Sequence, residues 1–103
     1  MTELDEAQLF RQQGAAQAAA LLRAMGHEQR LLVLCLLIEH GELSVGAIQA
    51  QVSLSQSALS QHLAKMRDEG LVSFRREAQT LFYRIERAEV GALVATLKQV
   101  FCP

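Results

Sequence analysis

The two cysteines, Cys35 and Cys102, are the most nucleophilic side chains of this 103-residue chain. A deprotonated thiol attacks oxidants and persulfides and binds soft metals. Cys35 stands within Leu-Val-Leu-Cys-Leu-Leu, a context that favours a small core residue, because free cysteine is among the most buried residue types. Cys102 is the penultimate residue, where burial is least assured and a thiol is easiest to reach. The spacing of the two residues does not show whether they meet.

A polar stretch between residues 55 and 62 offers a different chemistry, the recognition of DNA. Leu59, Leu63 and Met66 recur at i, i+4 and i+7 and predict one apolar stripe of a helix. Hydroxyl and amide side chains on the opposite side can hydrogen-bond to base edges in a major groove. A solvated helix face has the same composition, so this helix alone does not decide its function. The candidate DNA contacts are Ser55, Gln56, Ser57, Ser60, Gln61 and His62.

The segment before this helix strengthens the DNA interpretation. Residues 43–52 predict a short helix, and a tight turn at Ser53-Leu54 follows it. Ser55 is placed to cap the second helix, and Gly70 is placed to end it. Two short helices joined by a tight turn, the second of them polar, form the helix-turn-helix pattern of DNA-binding proteins.

The segment after the helix predicts a β-hairpin. Residues 71–77 and 80–86 are rich in β-branched and aromatic side chains, which favour strands. Ala78-Gln79 would form the tip, although this pair lacks the glycine or asparagine that a two-residue turn prefers. A helix-turn-helix followed by a basic hairpin is a winged helix. Its candidate contacts to the DNA backbone or minor groove are Arg75, Arg76, Gln79 and Thr80.

Three further helices complete the predicted order of elements. An alanine-rich helix comes first, and a second helix, apolar nearly all round from Leu31 to Ile38, is expected to be the buried centre. The last helix carries an apolar face, which in so small a domain suggests dimerisation. We expect one domain over residues 1–103, with the helix-turn-helix at about 43–69, the wing at about 71–86 and dimerisation helices at about 7–24 and 87–101.

The charge balance does not attract nucleic acid to the chain as a whole. The formal net charge is −1, but the basic residues are concentrated after residue 42, so a local positive face is compatible with it. The N-terminus lacks the pattern of a secretory signal, and the longest apolar run is too short to span a bilayer. We therefore expect a cytoplasmic protein without a membrane partner, in which the two thiols are reduced rather than a structural disulfide.

The order helix, helix, helix-turn-helix, hairpin, helix resembles the ArsR family of dimeric bacterial repressors. The segments AMGHEQRLLVLCLL, GELSVGAI, LSQSALSQHLAKMRDEGLV and RREAQTLFYRI carry the resemblance across nearly the whole chain. The usual proline after His27 is replaced by Glu28. The resemblance implies a mainly α winged helix-turn-helix fold with a small β-hairpin. It also implies a homodimer built by the first and last helices, bound to an inverted-repeat operator in double-stranded DNA.

Within that family, the cysteine positions resemble the BigR and SqrR type, which senses persulfides or oxidants through two thiols. The resemblance implies that Cys35 and Cys102 are the sensing pair and that small reactive sulfur species or oxidants are the inducer. The family's metal sites are not reproduced. Ser44 and Gly46 stand where the arsenic or cadmium type has thiolates, and the last helix lacks the histidine of the zinc type. We expect no metal ligands and no cofactor.

Three classes of function remain open on the sequence. The first is a thiol-responsive DNA-binding repressor, and the second is a metal- or haem-responsive repressor of the same fold. Cys102-Pro103 resembles a haem-regulatory motif, but that motif is only two residues long. The third class is a non-DNA interaction module or a thiol enzyme. No enzyme is expected, because the chain has no Cys-x-x-Cys, no Cys–His pair in local sequence and no phosphate loop.

Overall fold

Six α-helices and three short strands form residues 5–102, the part of the chain that the computed structural model describes. Their order confirms the predicted mainly helical winged helix-turn-helix class. None of these helices combines the length and the hydropathy that crossing a bilayer requires. The elements are α1 (Glu6–Leu9), a π-helical segment (Phe10–Gly14), α2 (Ala15–Met25), α3 (Glu28–His40), β1 (Leu43–Ser44), α4 (Val45–Gln49), α5 (Gln56–Asp68), β2 (Val72–Glu77), β3 (Thr80–Ile85) and α6 (Ala88–Phe101).

The first predicted helix is present as α1, the π-helical segment and α2, which follow one another without a break. Asp5 caps it, because its carboxylate accepts the Gln8 N–H at 2.7 Å and its own N–H donates to the Gln8 side chain at 3.1 Å. Gly14 lets the Phe10 ring lie against the helix, since a Cβ there would sit 3.0 Å from the ring. No residue of α1 or of the π-helical segment is buried.

The core forms around one face of α3. Val33, Leu34 and Leu37 are at most 1% exposed, and they belong to one core with buried side chains from α2, α4, α5, the hairpin and α6. The prediction that α3 is the buried centre of the fold is confirmed, although Leu32 on its other side is 42% exposed. The buried partners of α3 include Ile48, Leu59, Leu63, Met66, Leu71, Val72, Tyr83, Val90 and Val94.

The sheet has three strands, one more than the sequence predicted. β3 lies in the middle and pairs antiparallel with both neighbours, from Val72 opposite Ile85 to Glu77 opposite Thr80 in the hairpin. On its other side Leu43 pairs with Tyr83. The predicted helix over residues 43–52 is therefore wrong at its start, because pairing with β3 holds the first two residues extended.

The turn before the wing and the turn at its tip each contain a residue with a left-handed backbone conformation. Gly70 has φ +78, and the N–H groups of Gly70 and Leu71 donate to the Arg67 and Met66 carbonyls, so α5 ends where predicted. The predicted hairpin tip is also in place. Ala78 has φ +56 there, a conformation that costs an L-residue about 1–2 kcal/mol.

Candidate DNA-binding surface and cysteine pair

Helix α5 buries one side and exposes the other. The Ser55 hydroxyl accepts the Ala58 N–H at 3.1 Å, which starts the helix, and Leu59, Leu63 and Met66 are buried in the core. The predicted apolar stripe is confirmed. Burial of the stripe leaves the side chains opposite it in solvent. We define the α5 polar face as the exposed residues Gln56, Ser57, Ser60 and Gln61.

Helix α4 packs before α5 as the first half of a helix-turn-helix. The Ser44 hydroxyl accepts the Ala47 N–H at 3.1 Å, and Ile48 is fully buried. Residues 50–55 connect the two helices. The predicted two-residue turn at Ser53-Leu54 is too short, because α4 ends at Gln49 and the half-buried Val52 and Leu54 pack against the core inside the connection.

A groove of about 500 Å³ lies between α4, the start of α5 and the wing hairpin. It brings Gln56 and Ser60 of the α5 polar face next to Gln79 and Thr80 of the wing, so two predicted sets of DNA contacts border one concave surface. Its lining carries hydroxyls and amides but no formally charged side chain. The lining residues are Ser44, Val45, Gly46, Gln49, Gln56, Ser60, Gln79, Thr80 and Leu81.

Arg75 is held by carboxylates at the base of the wing. Its Nε donates to both Glu42 oxygens at 2.9 and 3.1 Å, its Nη1 lies 2.7 Å from Glu77, and its guanidinium stacks 4.5 Å from the Phe82 ring centre. The hydrogen bond from Arg75 lowers the pKa of Glu42, and the two carboxylates raise the pKa of Arg75. Arg75 therefore fixes the wing to the residue before β1, and its charge is already neutralised.

Arg76 projects from the opposite face of the hairpin. Side chains alternate along a strand, so Arg76 shares a face with Val72 and Phe74. Val72 is buried, and Arg67 of α5 lies 5.1 Å from the centre of the Phe74 ring. Arg76 is therefore on the α5 side of the wing. It is exposed, and it has no ion-pair partner within residues 5–102.

His62 points into the protein rather than along the α5 polar face. Its Nδ1 accepts a hydrogen bond from Arg30 Nε at 3.1 Å, and its ring centre lies 4.5 Å from that of His27. Burial lowers the pKa of His62, and the neighbouring His27 and Arg30 lower it further. Arg30 also donates to the Ala24 carbonyl at 2.9 Å. His62 thus joins α5 to the junction of α2 and α3, and this geometry does not place it as a direct base contact.

Cys35 lies within α3, and Cys102 is the extended residue that caps the end of α6, with its N–H donated to the Lys98 carbonyl at 2.8 Å. Glu39 of α3 and Lys98 of α6 form an ion pair at 3.6 Å. Cys35 precedes Glu39 by four residues, and Cys102 follows Lys98 by four. Both Lys98 and Cys102 are near enough to Cys35 to influence its charge, so the ion pair and the two thiols lie on the same side of the contact between α3 and α6. Both cysteines are free thiols, with Cys35 half-buried and Cys102 exposed. Burial raises the pKa of Cys35, Lys98 opposes this shift, and Glu39 and Cys102 add to it.

Comparison with known proteins decides the family. The sequence profile described as "Bacterial regulatory protein, arsR family" matches residues 27–73. The regulator YgaV of Escherichia coli strain K12 is 53% identical over 103 residues, 100% of both chains. This chain belongs to the ArsR family. The transcriptional activator HlyU of Vibrio cholerae is 48% identical over 88% of this chain and 83% of its own.

Solved structures of ArsR-family proteins have the same fold. Reduced HlyU from Vibrio cholerae superposes with a TM-score of 0.84 at 46% identity, covering 92% of this chain and 99% of that one. The repressor BigR from Xylella fastidiosa superposes with a TM-score of 0.84 at 38% identity, covering 90% and 94%. Because these relatives are named as transcriptional regulators, this ArsR-family chain is a transcriptional regulator and not an enzyme.

This ArsR-family chain has further cations on or near α5 that the sequence analysis did not assign as DNA contacts. Arg23, Arg30, Lys65 and Arg87 line one cleft, and they come from four separate elements or their flanks. No local pattern connects residues so far apart in the chain. Among residues 5–102, no group of three or more histidines, cysteines and carboxylates is placed to hold a metal ion.

Proposed function

We propose that the chain is a homodimeric repressor that binds an inverted-repeat operator and releases it when Cys35 and Cys102 become covalently linked. The observation that carries the proposal is the Glu39–Lys98 ion pair between α3 and α6, because Cys35 and Cys102 are each four residues from one of its partners and Cys102 acts electrostatically on Cys35. A relative solved in a form named reduced, HlyU, supports a role for thiol chemistry in this fold.

Operator recognition is assigned to the α5 polar face and the wing. Gln56, Ser57, Ser60 and Gln61 are exposed, uncharged and held by a helix that packs on the core, as base-reading side chains must be. Arg76 with Gln79 and Thr80 supplies the backbone or minor-groove contacts. Ser55 starts the helix, while Arg75 and His62 hold the wing and α5 in position. Loss of one base-edge pair is expected to cost about 1–3 kcal/mol.

A second copy of the chain is the expected partner of the exposed apolar surface. Large apolar side chains that are 43–76% exposed occur at both ends of the described chain. Burying one of them is worth about 1.5–3 kcal/mol. These side chains are Leu9, Phe10 and Leu22 in the first helix and Val100 and Phe101 in α6. A two-fold dimer would set two α5 helices about one turn of DNA apart.

Two kinds of reagent, a peroxide or a polysulfide, can link the two thiols. With peroxide, the Cys102 thiolate attacks one oxygen and becomes a sulfenic acid as hydroxide leaves; Cys35 then attacks that sulfur, forming the disulfide and releasing water. With a polysulfide, Cys102 takes one sulfane sulfur and the donor leaves as a thiolate. The Cys35 thiolate attacks a second polysulfide molecule, breaks one of its S–S bonds and releases one fragment as a thiolate, so that the other fragment stays bound to Cys35. The Cys102 persulfide then attacks the Cys35 sulfur and displaces that fragment as a thiolate. The product carries an extra bridging sulfur and spans more than a disulfide, whose Cα atoms lie about 5.5–6 Å apart.

Either bridge would tie α6 to α3. Because α6 also carries part of the exposed apolar surface, a small shift there would change the spacing of the two α5 helices. A tenfold loss of operator affinity requires a coupling of about 1.4 kcal/mol.

The test combines operator binding with mass spectrometry of the two cysteines. Cys35→Ser and Cys102→Ser should bind the operator like the reduced wild type and should keep binding after peroxide or a polysulfide is added. The wild type should lose at least about tenfold in affinity as the linked form accumulates. A Cys35→Ser/Cys102→Ser double variant that still releases DNA would refute the switch. Equal release by zinc or haemin would favour the metal- or haem-responsive alternative, and a transcription reporter distinguishes repression from the activation for which HlyU is named.

A further inference from the structure

A cleft of about 760 Å³ lies at the C-terminal half of α5, away from the wing groove at its N-terminal half. α2 forms one wall, α5 forms another, and the residue before α6 closes one side. The cleft contains four cationic side chains and a single carboxylate. The charged lining residues are Arg23, Arg30, Lys65, Arg87 and Glu69.

Two of the four cations are already engaged within the protein. Arg30 donates to the Ala24 carbonyl and to His62, and it lies 3.9 Å from the Glu69 carboxylate. Arg87 donates to Glu89 at 2.7 Å. Arg23 and Lys65 are exposed, and neither has an ion pair within residues 5–102. On a chain with a net charge of −1, they form a local site for an anion.

The position of Lys65 on α5 indicates which anion. Ser57, Gln61 and Lys65 recur at i, i+4 and i+8, so Lys65 continues one line of the α5 polar face. It lies about 6 Å beyond Gln61 along the helix axis and about 12 Å beyond Ser57. The major groove is itself about 12 Å wide and is bordered by phosphates. If Ser57 and Gln61 contact bases, Lys65 reaches the phosphate row at the edge of that groove.

We propose that the Arg23–Lys65 cleft binds a backbone phosphate of the operator on the side of α5 opposite the wing. The inference rests on the proposed DNA-binding function and adds a contact from α2, an element otherwise assigned to dimerisation. The Arg23 guanidinium and the Lys65 ammonium approach the phosphate from two elements, α2 and α5. A free phosphate compound presents the same chemistry, so the experiment separates the two sources.

The salt dependence of operator binding is the first measurement. The salt slope is the decrease in the logarithm of operator affinity for each tenfold increase in salt concentration. Lys65→Gln and Arg23→Gln should each lower this slope by about one and weaken binding by up to about tenfold at 0.1 M salt. The effect should be equal for every operator sequence, because a phosphate contact does not read the bases. Lys65→Arg keeps the charge and should keep the slope. Arg11→Gln removes an exposed cation that does not line the cleft, and its slope should equal that of the wild type. Unchanged slopes in Lys65→Gln and Arg23→Gln would overturn the proposal.

Neutral backbone substitution identifies the contacted phosphate. A methylphosphonate at the groove edge beside α5 should weaken wild-type binding and leave Lys65→Gln unaffected, because the variant has already lost that contact. If the methylphosphonate and Lys65→Gln together weaken binding by the sum of their separate effects, they act on different contacts, and the proposed contact of Lys65 with that phosphate is contradicted. Titration of the free protein with inorganic phosphate or pyrophosphate should give weak binding that added salt screens. If the free protein instead binds one of them tightly, and the salt slopes of operator binding by Lys65→Gln and Arg23→Gln equal that of the wild type, the cleft binds a free phosphate compound and the DNA contact is overturned.

A control variant separates this inference from the proposed function. Gln61→Ala should reduce the preference for operator over random duplex. If the wild type shows no such preference, the proposed function fails whatever Lys65 does. If the wild type and Gln61→Ala behave as expected and the cleft variants match the wild type, only the phosphate contact is refuted.

Discussion

Arg75 and Arg76 are adjacent in sequence but lie on opposite faces of the wing hairpin. Arg75 is bound by Glu42 and Glu77, so its charge is balanced within the protein. Arg76 has no ion-pair partner within the part of the chain described. An arginine that contacts a phosphate releases counterions from the DNA, and this release produces the salt slope of binding. Only a guanidinium that is not already paired with carboxylates of the protein can contribute to that slope.

We therefore predict that Arg76→Gln lowers the salt slope of operator binding by about one, whereas Arg75→Gln leaves it unchanged. The two variants remove the same charge from neighbouring positions, so each is the matched control of the other. The measurement is operator affinity over a series of salt concentrations. A drop in slope with Arg75→Gln would mean that its pairing with Glu42 breaks on DNA binding.

The surroundings of His62 predict that the stability of the fold depends on pH. Burial, with His27 and Arg30, lowers its pKa, so the folded state favours the neutral imidazole that accepts the Arg30 hydrogen bond. Below about pH 6.5 the unfolded chain binds more protons at this residue than the folded chain does. The contribution of His62 to stability is therefore complete above that pH and is lost as the pH falls toward the lower folded pKa.

We predict that the urea midpoint of the wild type falls more between about pH 7.5 and about pH 5.5 than that of His62→Gln. Glutamine keeps an oxygen that can accept from Arg30 but does not titrate. His40→Gln, at an exposed position at the end of α3, serves as the control and should follow the wild type. Parallel pH profiles of the wild type and His62→Gln would contradict this role.

Local signals in the sequence predicted the helices and the hairpin but not the contacts between distant segments. The apolar stripe of α5, its Ser55 cap and Gly70 act within a few residues, so each could be read directly. Strand β1 has only two residues, too few for a periodic signal, and it exists because it pairs with β3. The Arg75–Glu42 pair joins residues 33 positions apart. The Arg30–His62 bond spans 32 positions, and nothing in the local sequence points to it.

The described part of the chain is extended for its length. Its radius of gyration is 15.8 Å, against about 13 Å for a compact domain of this size, and its principal extents are 54, 36 and 21 Å. The N-terminal part of the first helix contributes no buried residue. An element that buries nothing within its own chain can gain packing energy only from a partner, which is consistent with a dimer.

Phe10→Asp is predicted to raise the monomer–dimer dissociation constant by about tenfold to a hundredfold, because Phe10 is 57% exposed and its burial is worth about 1.5–3 kcal/mol. Sedimentation velocity at several protein concentrations measures this. Gln51→Asp, exposed in the connection between α4 and α5, introduces the same charge and should leave assembly unchanged. A Phe10→Asp protein that sediments like the wild type would place the partner surface elsewhere.

The π-helical segment sets the phase of the first helix. Leu22 follows Phe10 by twelve residues, which in an unbroken α-helix would turn the two side chains about 120° apart. One π-helical turn absorbs about one extra residue, so the effective separation is about three full turns and the side chains differ by only about 20°. Deleting Gln12 should therefore give a regular α-helix in which Phe10 and Leu22 still form one apolar edge. Deleting one residue from α2 between Ala15 and Leu22 should rotate Phe10 by about 100° and split that edge in two.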